Sequence, residues 1–129
     1  MNVVLKFRGN GSRYVFASRG QAFKEKGTIM KNITLIGMPG SGKSTIGVLL
    51  AKALGMDFLD ADLVIQKREG ALLQEILDKR GFDAFKKAEE EALLSIHCGN
   101  TVIATGGSAV YSAPGMKHLK EQGVAAYLE

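Results

Sequence analysis

The segment Gly37-Met38-Pro39-Gly40-Ser41-Gly42-Lys43-Ser44, with Thr45 next, has the spacing G-x-x-x-x-G-K-[ST]. Glycines at such spacing let a backbone turn through positive φ and aim successive N–H groups at one point, which makes an anion-binding nest. A helix starting there adds free amides and the positive end of its dipole to the same point. Gly40, Ser41, Gly42, Lys43, Ser44 and Thr45 are thus candidates to hold the phosphates of a nucleoside triphosphate such as ATP. Lys43 would reach the β- and γ-phosphates, and the Ser44 hydroxyl would ligate Mg²⁺. A chance glycine-rich turn is the bland alternative. It is disfavoured because an apolar strand precedes the loop and an amphipathic helix follows it.

Two further segments carry polar groups where a strand ends. Phe58-Leu59-Asp60-Ala61-Asp62 sets two carboxylates two residues apart. One could serve Mg²⁺ through water while the other accepts the proton of an attacking hydroxyl. On local sequence alone, a helix N-cap followed by a solvated acid explains them equally well. Thr105-Gly106-Gly107-Ser108 follows Val102-Ile103-Ala104. Adjacent glycines at that point either let a ligand approach the main chain or simply make a tight turn.

These segments need a scaffold that brings strand ends together. Ile33-Thr34-Leu35-Ile36 has the composition of a buried parallel strand. Ile46, Leu49, Leu50, Ala53 and Leu54 give a helical stripe over 44–54, stopped by Gly55. Phe58-Leu59 is a brief strand. Helices are expected over 61–68 and 72–79, broken at Gly70, and over 82–97 with Phe85, Ala88, Ala92, Leu93 and Ile96 inward. A strand over 101–104, a helix over 115–121 and a strand over 124–128 complete the pattern. Strands alternating with helices predict an α/β fold with a parallel sheet covered on both faces.

Composition bounds the remaining possibilities. The chain is 46% hydrophobic and 23% charged, enough apolar surface for one folded core in 129 residues. No apolar run approaches the ~18–20 residues that span a bilayer. The lone Cys98 cannot form an intrachain disulfide, which suits a reducing, cytoplasmic setting. The net charge of +4 divides into +5 over residues 1–29 and −1 over the rest, so no nucleic-acid partner is expected. We expect 1–29 to be a peripheral or poorly ordered extension with β-like patches at Val3-Val4-Leu5 and Tyr14-Val15-Phe16. Its arginines, serines and scarcity of acid overlap with transit-peptide composition, but Met30 directly before the first strong strand reads as a natural start of a 30–129 domain. His97 and His118 have no partners at metal-ligand spacing and read as surface residues. Cys98 has no supporting triad, and Met38 reads as packing.

Taken in order, GMPGSGKST at 37–45, DAD at 60–62, GFDAFKKAE at 81–89 and GGS at 106–108 resemble shikimate kinase. That family's pattern is the phosphate loop, D-x-D after the second strand, G-E-x-x-F-R-x-x-E on a long helix, and G-G-G after the next strand. The resemblance runs from about Met30 to the C-terminus. It implies a three-layer P-loop kinase fold and ATP-dependent phosphorylation of shikimate or a similar hydroxy acid, with Mg²⁺, in a monomer. It implies Asp62 as substrate ligand and catalytic base with Lys43 at the transferring phosphate, Asp60 at Mg²⁺ through water, and Gly107 contacting substrate by its backbone. Lys86 stands where the family has a carboxylate-gripping arginine, Ser108 replaces the third glycine, and Phe82 replaces a glutamate. The family's lid, with its phosphate-contacting arginine, and its last strand and helix would lie beyond Glu129, so the fold is expected to lack its C-terminal part. Two alternatives stay open: a nucleotide-binding or regulatory module without catalysis, and a P-loop kinase for another hydroxy acid such as gluconate.

Overall fold

The computed structural model describes residues 14–17, 21–24, 32–37 and 42–128. Strands β1 (Tyr14–Ala17) and β2 (Gln21–Lys24) pair antiparallel in a sheet of their own, so the Tyr14-Val15-Phe16 patch is a strand. Val3-Val4-Leu5, Met38 and the boundary expected at Met30 lie outside the described residues.

The main sheet contains β3 (Asn32–Gly37), β4 (Asp57–Asp60), β5 (Thr101–Ala104) and β6 (Gly123–Leu128). All its pairings are parallel, in the spatial order β4-β5-β3-β6. The helices are α1 (Lys43–Leu54), α2 (Ala61–Glu69), α3 (Leu73–Arg80), α4 (Phe82–Leu94) and α5 (Ala113–Glu121). Every residue of β3 is buried, as befits a central strand covered on both faces. Ile33 and Leu35 join Leu50, Ala51 and Leu54 of α1, with Val102, Val124 and Ala126 of the neighbouring strands. On the opposite face Ile103 packs with Ala61, Leu93, Ile96 and Leu119 from α2, α5 and the end of α4. The expected α/β layering is therefore present, and Ile65, Ile76, Phe85, Ala88 and Ala92 add a smaller core where α2, α3 and α4 meet.

Three local expectations are corrected. The buried stripe of α1 is Lys43, Gly47, Leu50, Ala51 and Leu54, whereas Ile46 and Leu49 are exposed. Small residues turn inward because the helix lies tight on the sheet: a Cβ at Gly47 would stand 2.6 Å from the Phe58 ring and 3.3 Å from Leu35. Helix α4 ends at Leu94 rather than His97. Ser95 Oγ donates to Ala92 O at 2.6 Å and Ile96 N donates to Leu93 O at 3.2 Å, so the chain tightens and leaves the α-helical ladder. Helix α5 starts two residues before the expected Gly115, because Ser112 caps it by accepting from Gly115 N and Pro114 suits the first turn.

The amino ends of the strands are stitched by Asn32, which is fully buried. Its Oδ1 accepts from Thr101 N at 3.0 Å and its Nδ2 donates to Cys98 O at 2.9 Å. Gly123 opens β6 directly against the Asn32 backbone, and a Cβ there would overlap the Asn32 carbonyl. Main chain cannot yield as a side-chain tip does. Gly123→Ala should therefore destabilise the fold by about 1–3 kcal/mol, read from urea unfolding; an unchanged midpoint would show that β6 shifts freely.

Candidate active site

The carboxyl ends of β3, β4 and β5 lie side by side, and each delivers polar groups to one cleft. From the β3 side comes the phosphate loop. Gly40 and Ser41 lie outside the described residues. Gly42 caps α1 at φ 79°, a left-handed conformation that favours glycine. Ile46 N donates to its carbonyl at 2.9 Å, which closes the first helical turn. Lys43 is buried to 9% exposure and its Nζ donates to Gly37 O at 2.8 Å, so its ammonium is turned back to the end of β3.

From β4 come the two aspartates, whose competing local explanations turn out to be compatible. Asp60 is the N-cap of α2: its Oδ1 accepts from Asp62 N at 2.9 Å. Its other oxygen, Oδ2, accepts from Ser44 Oγ at 3.3 Å. One carboxylate thus sets the start of α2 and also faces the hydroxyl at the head of α1. Asp62, in the first turn of α2, lines the cleft.

From β5 comes the glycine turn. Thr105 ties it to β3, since both its backbone N and its Oγ1 donate to Leu35 O, at 3.2 and 2.8 Å. Gly42, Lys43, Ser44, Thr45, Asp62, Thr105, Gly106 and Gly107 surround a cleft of about 330 Å³. The described sequence-derived candidates are therefore brought together, with one exception. Lys86 is exposed on α4 and does not line the cleft; its Nζ sits 5.7 Å from the centroid of the Phe82 ring.

Glu89 was not among the sequence candidates for the site. It is 3% exposed and lies against the turn, where its Oε1 accepts from Ser108 Oγ at 2.7 Å. Its signal was an acid on the inward stripe of α4, between Phe85 and Leu93. Thr105 and Gly106 were visible only as part of a turn. His118, expected at the surface, is half-buried: its Nε2 lies 2.7 Å from Ile96 O, and its ring stands edge-on to that of His97. Cys98 is exposed.

Burial pushes the Asp62 carboxyl above its usual range, the like charge of Asp60 adds to this, and Lys43 opposes it. Burial also raises the Glu89 carboxyl; the Ser108 hydrogen bond lowers it, Asp62 raises it and Lys86 lowers it. Ser44 and Asp60 offer hard oxygen donors of the kind Mg²⁺ takes when nucleotide phosphates and water complete its shell. Among the described residues no group of three or more His, Cys, Asp or Glu side chains is arranged to hold a metal, so this pair would hold an ion only as a shared site. No helix among the described residues is long and apolar enough to cross a membrane.

Known proteins resemble this chain over the same region. The family model described as shikimate kinase matches residues 39–129. A shikimate kinase of Haemophilus influenzae is 44% identical over 100 residues, covering 77% of this chain and 56% of its own length. One from Thermodesulfovibrio yellowstonii is 48% identical over 96 residues, covering 74% of this chain and 56% of its own. Among solved structures, shikimate kinase from Acinetobacter baumannii in complex with shikimate superposes with a TM-score of 0.70 at 39% identity, covering 77% of this chain and 56% of that one. The Aquifex aeolicus enzyme gives 0.66 at 37% identity, covering 76% and 59%. The chain thus spans a little over half the length of these relatives.

A carboxyl whose folded-state affinity for protons is raised costs stability when ionised. That cost is present above the raised folded value and vanishes as pH falls below the usual Asp value of 3.8. The first turn of α2 favours negative charge, but burial and Asp60 outweigh it. Asp62→Asn should therefore raise the thermal midpoint at neutral pH and lose that gain below pH 3.8. An equal gain at both pH values would assign the effect to packing instead of charge.

Proposed function

This chain belongs to the shikimate kinase family, and we propose that it carries the nucleotide- and acceptor-binding part of a kinase that phosphorylates a hydroxyl of shikimate with ATP, a step toward aromatic amino acids. The observation that supports this most is the single cleft in which Lys43, Ser44, Asp62, Gly106 and Gly107 meet. A phosphate site and a carboxylate proton acceptor lining one cleft fit in-line transfer between two bound molecules.

In this proposal the α1 N-terminus and Lys43 hold the triphosphate. Asp62 takes the proton of the acceptor hydroxyl, the acceptor oxygen bonds to the γ-phosphorus, and the bond to the β,γ-bridging oxygen breaks to leave ADP. A carboxyl pushed above the usual range is a better proton acceptor near neutral pH than an ordinary aspartate. Mg²⁺, held by Ser44 and by Asp60 through water, would supply charge neutralisation on the phosphates. The backbone of Gly107 would contact the acceptor. All these groups come from one chain, which fits a monomer, and the reaction is placed in the cytoplasm.

Lys86 is the proposed grip for the acceptor carboxylate. From its place over Phe82 the ammonium has to swing to the cleft on its flexible stem, and as a point charge it lacks the two-pronged geometry of arginine. That one feature favours a second possibility, another small hydroxy acid as acceptor. A panel of acceptors in a coupled assay, using a protein that includes the family's C-terminal region, separates the two. Activity on a different acid alone would displace shikimate.

Calorimetry on the chain itself tests the nucleotide half. Lys43→Ala should weaken Mg·ATP binding at least about a hundredfold, the scale of removing a charge-assisted hydrogen bond from a buried site; undiminished affinity would remove Lys43 from the phosphate site. Lys86→Arg should tighten shikimate binding several-fold and Lys86→Ala should weaken it. Equal affinity in all three would show that position 86 does not touch the acceptor.

A further inference from the structure

The turn after β5 is tied to α4 by two neighbouring hydroxyl–carboxylate bonds. Ser108 Oγ donates to Glu89 Oε1, and Ser112 Oγ donates to Glu90 Oε2, each at 2.7 Å. The second bond sits at the cap of α5, away from the cleft. The first is different in kind. Glu89 is buried, and its other oxygen closes on Gly106: a Cβ there would lie 3.0 Å from Glu89 Oε2 and also 3.0 Å from Asp62 Oδ1. The same side of Gly106 therefore meets two carboxylates, Asp62 lining the cleft and the buried Glu89.

We infer that Ser108 is a positioning residue: its hydroxyl pins the Glu89 carboxylate against Gly106, and that pinned group sets the backbone of the Gly106–Gly107 turn. The inference rests on the proposed function only in taking the cleft side of the turn as the place of the acceptor. A buried carboxylate stays ionised only if donors or cations compensate its lost hydration. The groups acting on Glu89 are the Ser108 hydroxyl, Lys86 on its own helix, and Asp62 from α2, which opposes them. Asp62 in turn faces Asp60 and Lys43. Removing the Ser108 donor lets Glu89 take up a proton at higher pH. The carboxyl beside Gly106 then loses the donor that fixes its orientation, and the turn loses that support.

The test follows the side-chain carboxyl carbon of Glu89 by NMR through an acid titration. It compares the unaltered chain with Ser108→Ala, Ser108→Thr and Ser112→Ala, each confirmed folded by its thermal midpoint. Ser108→Ala should move the Glu89 midpoint up. Ser108→Thr, which keeps the hydroxyl, should restore it, while Ser112→Ala should lower thermal stability and leave the Glu89 titration in place. Shikimate affinity at neutral pH should fall about tenfold in Ser108→Ala, the scale of one hydrogen bond to a charged group, with Mg·ATP affinity unchanged. A Glu89 midpoint unmoved by Ser108→Ala, or moved equally by Ser112→Ala, overturns the inference. If the unaltered chain binds Mg·ATP and no shikimate, the proposed acceptor fails, and the titrations still decide the role of Ser108.

Discussion

Lys43 is an ammonium buried to 9% exposure, and the charge balance it demands organises everything around it. A cation taken that far out of water needs compensation from acceptors and opposite charge. Gly37 O provides one acceptor at 2.8 Å, and Lys43 also lowers the Asp62 carboxyl. The aspartate bears the converse cost. It is half-buried and repelled by Asp60, and Lys43 offsets only part of this, so its carboxyl stays above the usual range. In the proposed function a triphosphate would draw on the same ammonium, which would tie its binding to the charge of Asp62.

That arrangement exists because parallel strands end together. β3, β4 and β5 are far apart in the chain yet adjacent in the sheet, and each is followed at its carboxyl end by a functional turn. An open parallel sheet places its ligand crevice at this edge. The register is secured at the opposite edge, where buried Asn32 bonds to Thr101 N and Cys98 O and its backbone lies against Gly123. Gly47 and Ala51 then let α1 lie close on the sheet, which sets where its first residues, Lys43 and Ser44, can reach.

The strands of the main sheet and the described helices were legible because each rests on local chemistry, a β-branched run or an apolar stripe at helical spacing. By contrast β2 (Gln21–Lys24), with Gln21 and Lys24 at its ends, gave no such signal. The two aspartates were legible as a pair, and both readings were open for a reason, since Asp60 uses one oxygen to cap α2 and turns the other to Ser44 Oγ. What local pattern could not give was the rotation of α1. Apolar spacing alone favoured Ile46 and Leu49, which face outward, because closeness of packing rewards Gly47 and Ala51 over larger side chains. Nor could it give Glu89. An acid inside an apolar stripe is a visible anomaly, but its partner, Ser108, lies 19 residues away and is brought near only by β5 and the turn after it. The direction of Lys86 depended in the same way on Phe82, one turn earlier, whose ring holds the ammonium.

The departures from the family pattern are not independent of one another. Phe82 supplies an aromatic face where the pattern has an acid, and Lys86 rests on that face instead of in the cleft. The same lysine lowers the Glu89 carboxyl, so drawing it toward an acceptor changes the compensation of a buried charge. Ser108 adds, at a third position, a donor to that carboxylate which a glycine cannot supply. An ammonium on an exposed, flexible stem is a loose partner for a buried acid, whereas a hydroxyl at 2.7 Å is a fixed one. Phe82, through Lys86, and Ser108 thus both bear on one buried carboxylate, that of Glu89.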